Sequence, residues 1–136
     1  MSLSNVFSIA GSAMSAQSMR LSLVASNIAN AESSTSSTGE PYKGRHAVFT
    51  ATPVTAAQPQ VAGVRVTAVV EDQTPPRLKY DPGNPLADQR GYVTLPNVNP
   101  VEEMADLIAA SRAYQNNVEI MNTAKTLQQK VLQLGQ

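Results

Sequence analysis

The strongest constraint on what this chain can become is where its apolar periodicity lies: helical at both ends and lost between them. Leu3, Phe7, Ala10, Met14, Gln17, Leu21, Val24 and Ile28 recur at alternating steps of four and three residues, the a/d seam of a coiled coil. Ile120, Ala124, Leu127, Val131 and Leu134 repeat the pattern at the other end. Seams so far apart in sequence are buried only if the termini pack on each other or on neighbouring copies. That is a signature of assembly and not of catalysis.

The expected fold is mainly α with a small β insert: long N- and C-terminal helices packing as a coiled-coil or bundle layer around a short antiparallel β middle domain. Four parts follow, an N-terminal helix within 1–31, a flexible polar connector over 32–45, a small β domain over 46–98 and a C-terminal helix over 99–136. The first helix is predicted over 4–30, roughly 40 Å at 1.5 Å per residue. Its other positions are small, Gly11, Ser12, Ala13, Ser15, Ala16 and Ser22 among them. Gly11 alone costs about 1 kcal/mol of helix stability relative to Ala. Such a helix is marginal in isolation and favours crowded surroundings.

The Ser/Thr run over 33–38 reads as a solvated connector. Beyond it, strand patterns are predicted over 46–52, 64–70, 77–80 and 92–95, separated by turn residues at Pro53, Pro59, Gly63, Pro75, Pro76, Asp81 to Pro85 and Gly91. So small a β unit buries little alone and leans on a helix or a neighbour. The last helix announces its start: Asn99 is a good N-cap, Pro100 suits the first helical position, and Glu102 stands where a capping box places its acid. Glu102, Glu103 and Asp106 then face the positive end of the helix dipole, with Lys125 and Lys130 near the negative end. Gly135 is the expected stop.

At 136 residues the chain is one domain, and 15% charged residues with few aromatics imply a modest core. Ten basic and ten acidic residues cancel, so no net field recommends nucleic acid or an anionic membrane. Without cysteine there is no disulfide, thiolate zinc site or cysteine nucleophile. Basic residues are missing before Arg20, so no secretory signal is expected, and no apolar run approaches the ~20 residues of a membrane span. No cofactor or metal is expected either. His46 lacks a second His or Cys and reads as structural, and Glu102 and Glu103 diverge by about 100° on their helix. Arg112, Tyr114, Asn116, Asn117 and Asn122 form either a solvated face or a polar-lined contact.

Two stretches carry a resemblance to a known family. Val24-Ala25-Ser26-Asn27-Ile28-Ala29-Asn30-Ala31 resembles the N-terminal signature of bacterial flagellar axial proteins, the rod and hook group. The segment 91–136 is similar to proximal-rod members of that group, on Pro96-Asn97-Val98-Asn99, Val101-Glu102-Glu103-Met104, Ala110-Ser111-Arg112, Tyr114-Gln115, Met121-Asn122-Thr123-Ala124-Lys125 and Leu134-Gly135-Gln136. Gln128 and Gln129 depart from it, standing where the family pattern is more apolar.

The resemblance implies a structural subunit of the basal-body rod, exported from the cytoplasm by the flagellar type III machinery without a cleaved signal and assembled helically in the periplasm. Implied partners are other copies, other rod proteins and the ring or export-gate adaptor proteins, with no nucleic acid and no direct membrane insertion. The expected assembly residues are Leu3, Phe7, Met14, Leu21, Val24, Asn27, Ile28 and Asn30 on the first helix. On the second they are Met104, Ile108, Tyr114, Val118, Met121, Ala124, Leu127, Val131 and Leu134. A cytoplasmic helical adaptor or export chaperone using the same seams is the alternative.

Overall fold

The computed structural model describes residues 2–34, 39–55 and 59–135. Part of the expected connector, residues 35–38, lies outside the described residues. The element order is α1 (Leu3–Asn30), β1 (Arg45–Pro53), β2 (Ala62–Glu71), β3 (Arg77–Tyr80), β4 (Tyr92–Leu95) and α2 (Pro100–Leu134). Mainly helical with a β insert, it matches the class that the terminal periodicity implies.

Each helix begins where a side chain satisfies amides that the helix itself leaves free. Ser2 caps α1, its Oγ accepting from the Asn5 N–H at 3.3 Å. Asn99 caps α2, its Oδ1 accepting from the Val101 N–H at 3.1 Å, with Pro100 following. The two helices pack against each other antiparallel. Arg20 Nη2 donates to Asp106 Oδ1 at 2.9 Å, tying the middle of α1 to the start of α2, while Leu3 and Val6 share a groove with Ala124 and Leu127 at the far end. Both partners of that ion pair are about a third exposed or more, so it sets register more than it stabilises.

The middle of the chain is antiparallel β as expected, and it forms two separate two-stranded sheets. In the first, β1 and β2 pair antiparallel from Arg45 opposite Glu71 to Pro53 opposite Ala62, with an irregularity after Val48 that leaves Thr67 without an opposite number. This hairpin lies on α1. Ser12 joins them: its Oγ donates to Ile9 O at 2.8 Å and accepts from the Val64 N–H at 3.1 Å. Gly63 is buried there, and a Cβ added to it would lie 2.6 Å from Ser12 Oγ. Gly63→Ala is therefore expected to push the hairpin off the helix and cost about 1–3 kcal/mol, read as a lower urea midpoint. An unchanged midpoint would mean the helix and hairpin do not need that approach.

In the second sheet, β3 and β4 pair from Arg77 opposite Leu95 to Tyr80 opposite Tyr92, and the two tyrosine rings meet edge to face at 5.3 Å. Gly91 turns the chain at φ +82°, a conformation that L side chains rarely adopt, and Tyr80 crowds the space a Cβ would need. Val93 and Leu95 of β4 continue into a buried run with Pro96 and Val98. Arg77 ties it to the end of α1, donating from Nε to Pro96 O and from Nη2 to Ala31 O, each at 3.1 Å.

Asp72 closes the link between the sheets. The Thr74 backbone N–H and then the Thr74 hydroxyl hold its carboxyl below the ordinary value, outweighing desolvation, and nearby His46 adds the smallest pull in the same direction. A carboxylate depressed on folding stabilises above its unfolded pKa and loses that contribution as pH falls through its folded pKa. A carboxyl NMR titration is expected to place Asp72 below 3.8 in the folded chain and to move it only part of the way back in Thr74→Ala, which removes the hydroxyl but keeps the backbone N–H.

Candidate assembly interface

The helical contact is built on small residues. Spacing and burial put positions 3, 6, 10, 13, 17, 20 and 24 of α1 toward α2, with Ala10 and Val24 buried and the Oε1 of Gln17 out of contact with water. On α2 the matching stripe runs through Glu103, Asp106, Ala110, Ala113, Asn117, Ile120 and Ala124, with Glu103, Ala110 and Ala124 buried. Alanine at these points lets two backbones approach closely.

Leu3, Ala10, Gln17 and Val24 of the expected seam are among these positions, and Val6 and Arg20 reach α2 through the far groove and the ion pair. Phe7, Met14, Leu21 and Ile28 are half-buried. Leu3 and Asn30 are also half-buried, and the Asn30 side chain donates back to Ser26 O at 2.8 Å.

On α2 the expected assembly residues divide three ways. Ala124 is buried; Tyr114, Val118 and Met121 are half-buried; Met104 and Ile108 are exposed. Past Ala124 the inward stripe continues without a break through Leu127, Val131 and Leu134, but α1 has ended. These three are 51%, 63% and 88% exposed. The groove where coverage stops, lined by Leu3, Val6, Ile120, Ala124 and Leu127, has a volume of about 440 Å³. Of the polar set on this helix, Arg112, Asn116 and Asn122 are exposed, and Asn117 bonds to its own Ala113 O at 2.7 Å.

Asn27 has a different role from its apolar neighbours. It is wholly buried, donates from Nδ2 to Arg45 O at 3.0 Å, and accepts at Oδ1 from the Arg45 N–H at 3.0 Å and the Tyr42 hydroxyl at 2.9 Å. One side chain thus presents itself to the start of β1 as a neighbouring strand would. Asn97 does the same service at the other side of the junction: it accepts from the Gly44 N–H at 2.8 Å and donates to Asp72 O and Thr74 O. Periodicity missed Ser12, Tyr42, Arg77 and Asn97 as holding points. The signal available for Asn97 was a polar amide set inside a short apolar stretch.

His46 Nε2 lies 3.9 Å from Asp72 Oδ2, and among the described residues no cluster of His, Cys, Asp and Glu has the makings of a metal site. No described helix is long and apolar enough to cross a membrane. Two terminal helices zipped antiparallel, with one stripe running on past the end of the zip, define a class: structural subunits whose packing is completed by neighbours. Comparison with known proteins gives that class its family. The family model described as flagella basal body rod protein matches residues 7–34, and the one described as flagellar basal body rod FlgEFG protein C-terminal matches 89–134. The flagellar basal-body rod protein FlgC of Yersinia enterocolitica is 54% identical, that of Salmonella typhimurium 52%, each alignment covering all of both chains. The Borreliella burgdorferi protein of the same name is 35% identical over all of this chain and 99% of its own. The chain belongs to the FlgC family of flagellar basal-body rod proteins. It is a structural subunit of the rod, located in the basal body, and these relatives do not favour the adaptor alternative.

Proposed function

We propose that the subunit polymerises helically, with α1 and α2 forming an inner layer that walls the export channel and the two β hairpins facing outward. The supporting observation is the unfinished seam at Leu127, Val131 and Leu134. Covering an exposed Leu or Val side chain is worth about 1.5–3 kcal/mol at most, and association costs at least about 4 kcal/mol. Three such residues roughly balance the cost of one contact. Growth therefore needs several neighbours at once, which favours addition to an existing end over pairing in solution, and a non-closing contact yields a tube.

The neighbours in this reading are other copies, other rod proteins and, at the base, ring or export-gate adaptor proteins. The chain reaches the periplasm through the flagellar type III machinery without a cleaved signal, binds no nucleic acid, inserts in no membrane and catalyses nothing. The expected assembly residues and the division at 1–31, 32–45, 46–98 and 99–136 belong to the same reading.

Fractionation tests it. Full-length protein is expected to co-purify with basal bodies after membrane solubilisation. Recovery only from the cytoplasm would return the adaptor to the front.

A further inference from the structure

The later part of α1, the start of β1 and the start of α2 together line a cavity of about 270 Å³ whose walls differ in kind. One wall is apolar and includes Leu23 and Phe49; the other carries Arg20, Arg45, His46 and Asp106. Two guanidinium groups stand there against one carboxylate. The lining is therefore positively charged even with His46 neutral, although the chain as a whole has no net charge.

Neither arginine is saturated by the partner it has. A guanidinium group carries five N–H donors. Among the described residues, the side chain of Arg20 makes one hydrogen bond, to Asp106 at 2.9 Å, and that of Arg45 makes one, to Glu71 at 3.4 Å. Glu71 is not part of the cavity lining, and a pair that long between half-exposed groups binds weakly. The Arg45 guanidinium also lies over the Tyr42 ring, 5.8 Å from its centre, and the Tyr42 hydroxyl is fixed by Asn27. Its charge is thus held in place without being neutralised.

We propose that this cavity receives the carboxylate of an aspartate or glutamate on a neighbouring protein, bridged between Arg20 and Arg45, with an adjoining apolar side chain of the same segment against Leu23 and Phe49. The positive lining selects an anion, and two oriented guanidinium groups suit a carboxylate. The apolar wall selects an anion attached to a hydrocarbon body, which a free inorganic ion lacks. The inference rests on the reading of the chain as a subunit enclosed by neighbours, and it adds to the apolar seams a charged contact at the junction of α1 with β1.

A photoreactive residue in place of His46, a side chain that lines the cavity and is half exposed, tests the site in cells that assemble rods. The expected product is an adduct that peptide mapping places beside an aspartate or glutamate of the captured protein, and that is lost in Arg45→Gln. Changing the mapped acidic residue to arginine is expected to stop swimming, and combining that change with Arg45→Glu is expected to recover it. Recovery by a change in the partner cannot come from repaired folding of this chain, so the swap remains decisive if Arg45→Glu alone also disturbs the fold. Motile cells without an adduct, an adduct that persists in Arg45→Gln or maps away from acidic residues, or a charge-swapped pair that stays non-motile would overturn the site while leaving the rod subunit standing.

Discussion

Leu127→Asp together with Val131→Asp is expected to abolish rod assembly while leaving the monomer folded. Both positions are more than half exposed, Leu127 at the edge of the groove it shares with Leu3 and Val6, so the carboxylates meet water and not a core. Near the negative end of α2 they cost about 1 kcal/mol or less each. In an assembled rod the same two groups would be taken from water without partners, a penalty of several kcal/mol per charge that exceeds what the seam contributes. The signature is therefore a split: unchanged expression and helical content, with motility lost and no rods on basal bodies. Normal swimming would mean that the end of α2 is not an assembly surface.

Asn27→Leu is expected to act on the fold itself. The substitution keeps the branched shape of the side chain but leaves the Arg45 N–H and carbonyl without this partner and the Tyr42 hydroxyl with only its 3.4 Å contact to Ser26 Oγ, at about 1–3 kcal/mol for each group that water cannot reach. A net loss of about 3 kcal/mol follows, a large part of the stability of so small a domain. Asn27→Asp separates hydrogen bonding from shape, since it keeps both acceptances and turns the donor into a buried charge facing the Arg45 carbonyl. It too should unfold early, and more so at neutral than at acid pH. If thermal unfolding of Asn27→Leu matches the wild type, the link from α1 to β1 is held by packing alone.

The two substitutions also mark what could be read from the chain alone. The strands β3 and β4 agree residue for residue with the expectation, because Pro75, Pro76 and Gly91 punctuate short alternating runs. Helix ends were legible where a cap precedes them, as at Asn99. The ion pair of Arg20 with Asp106, which sets the register of the two helices, was not, because a count of apolar residues passes over it.

The splitting of the β region into two sheets was hidden for another reason: its organisers are single side chains with distant partners. Asn97 bonds to Gly44 across 53 residues and Arg77 to Ala31 across 46, and neither link has a periodic signature. Asn27 stood within a motif characteristic of the family, yet its position in an apolar seam disguised a hydrogen-bonding role as an assembly role. Burial with complete pairing is what distinguishes the two.

The most direct test is electron microscopy of basal bodies purified from a strain deleted for this gene. Basal rings without a rod, with the rod restored when the gene is supplied in trans, are the predicted result. Complete rods and hooks in the deleted strain would contradict a required structural role in the shaft.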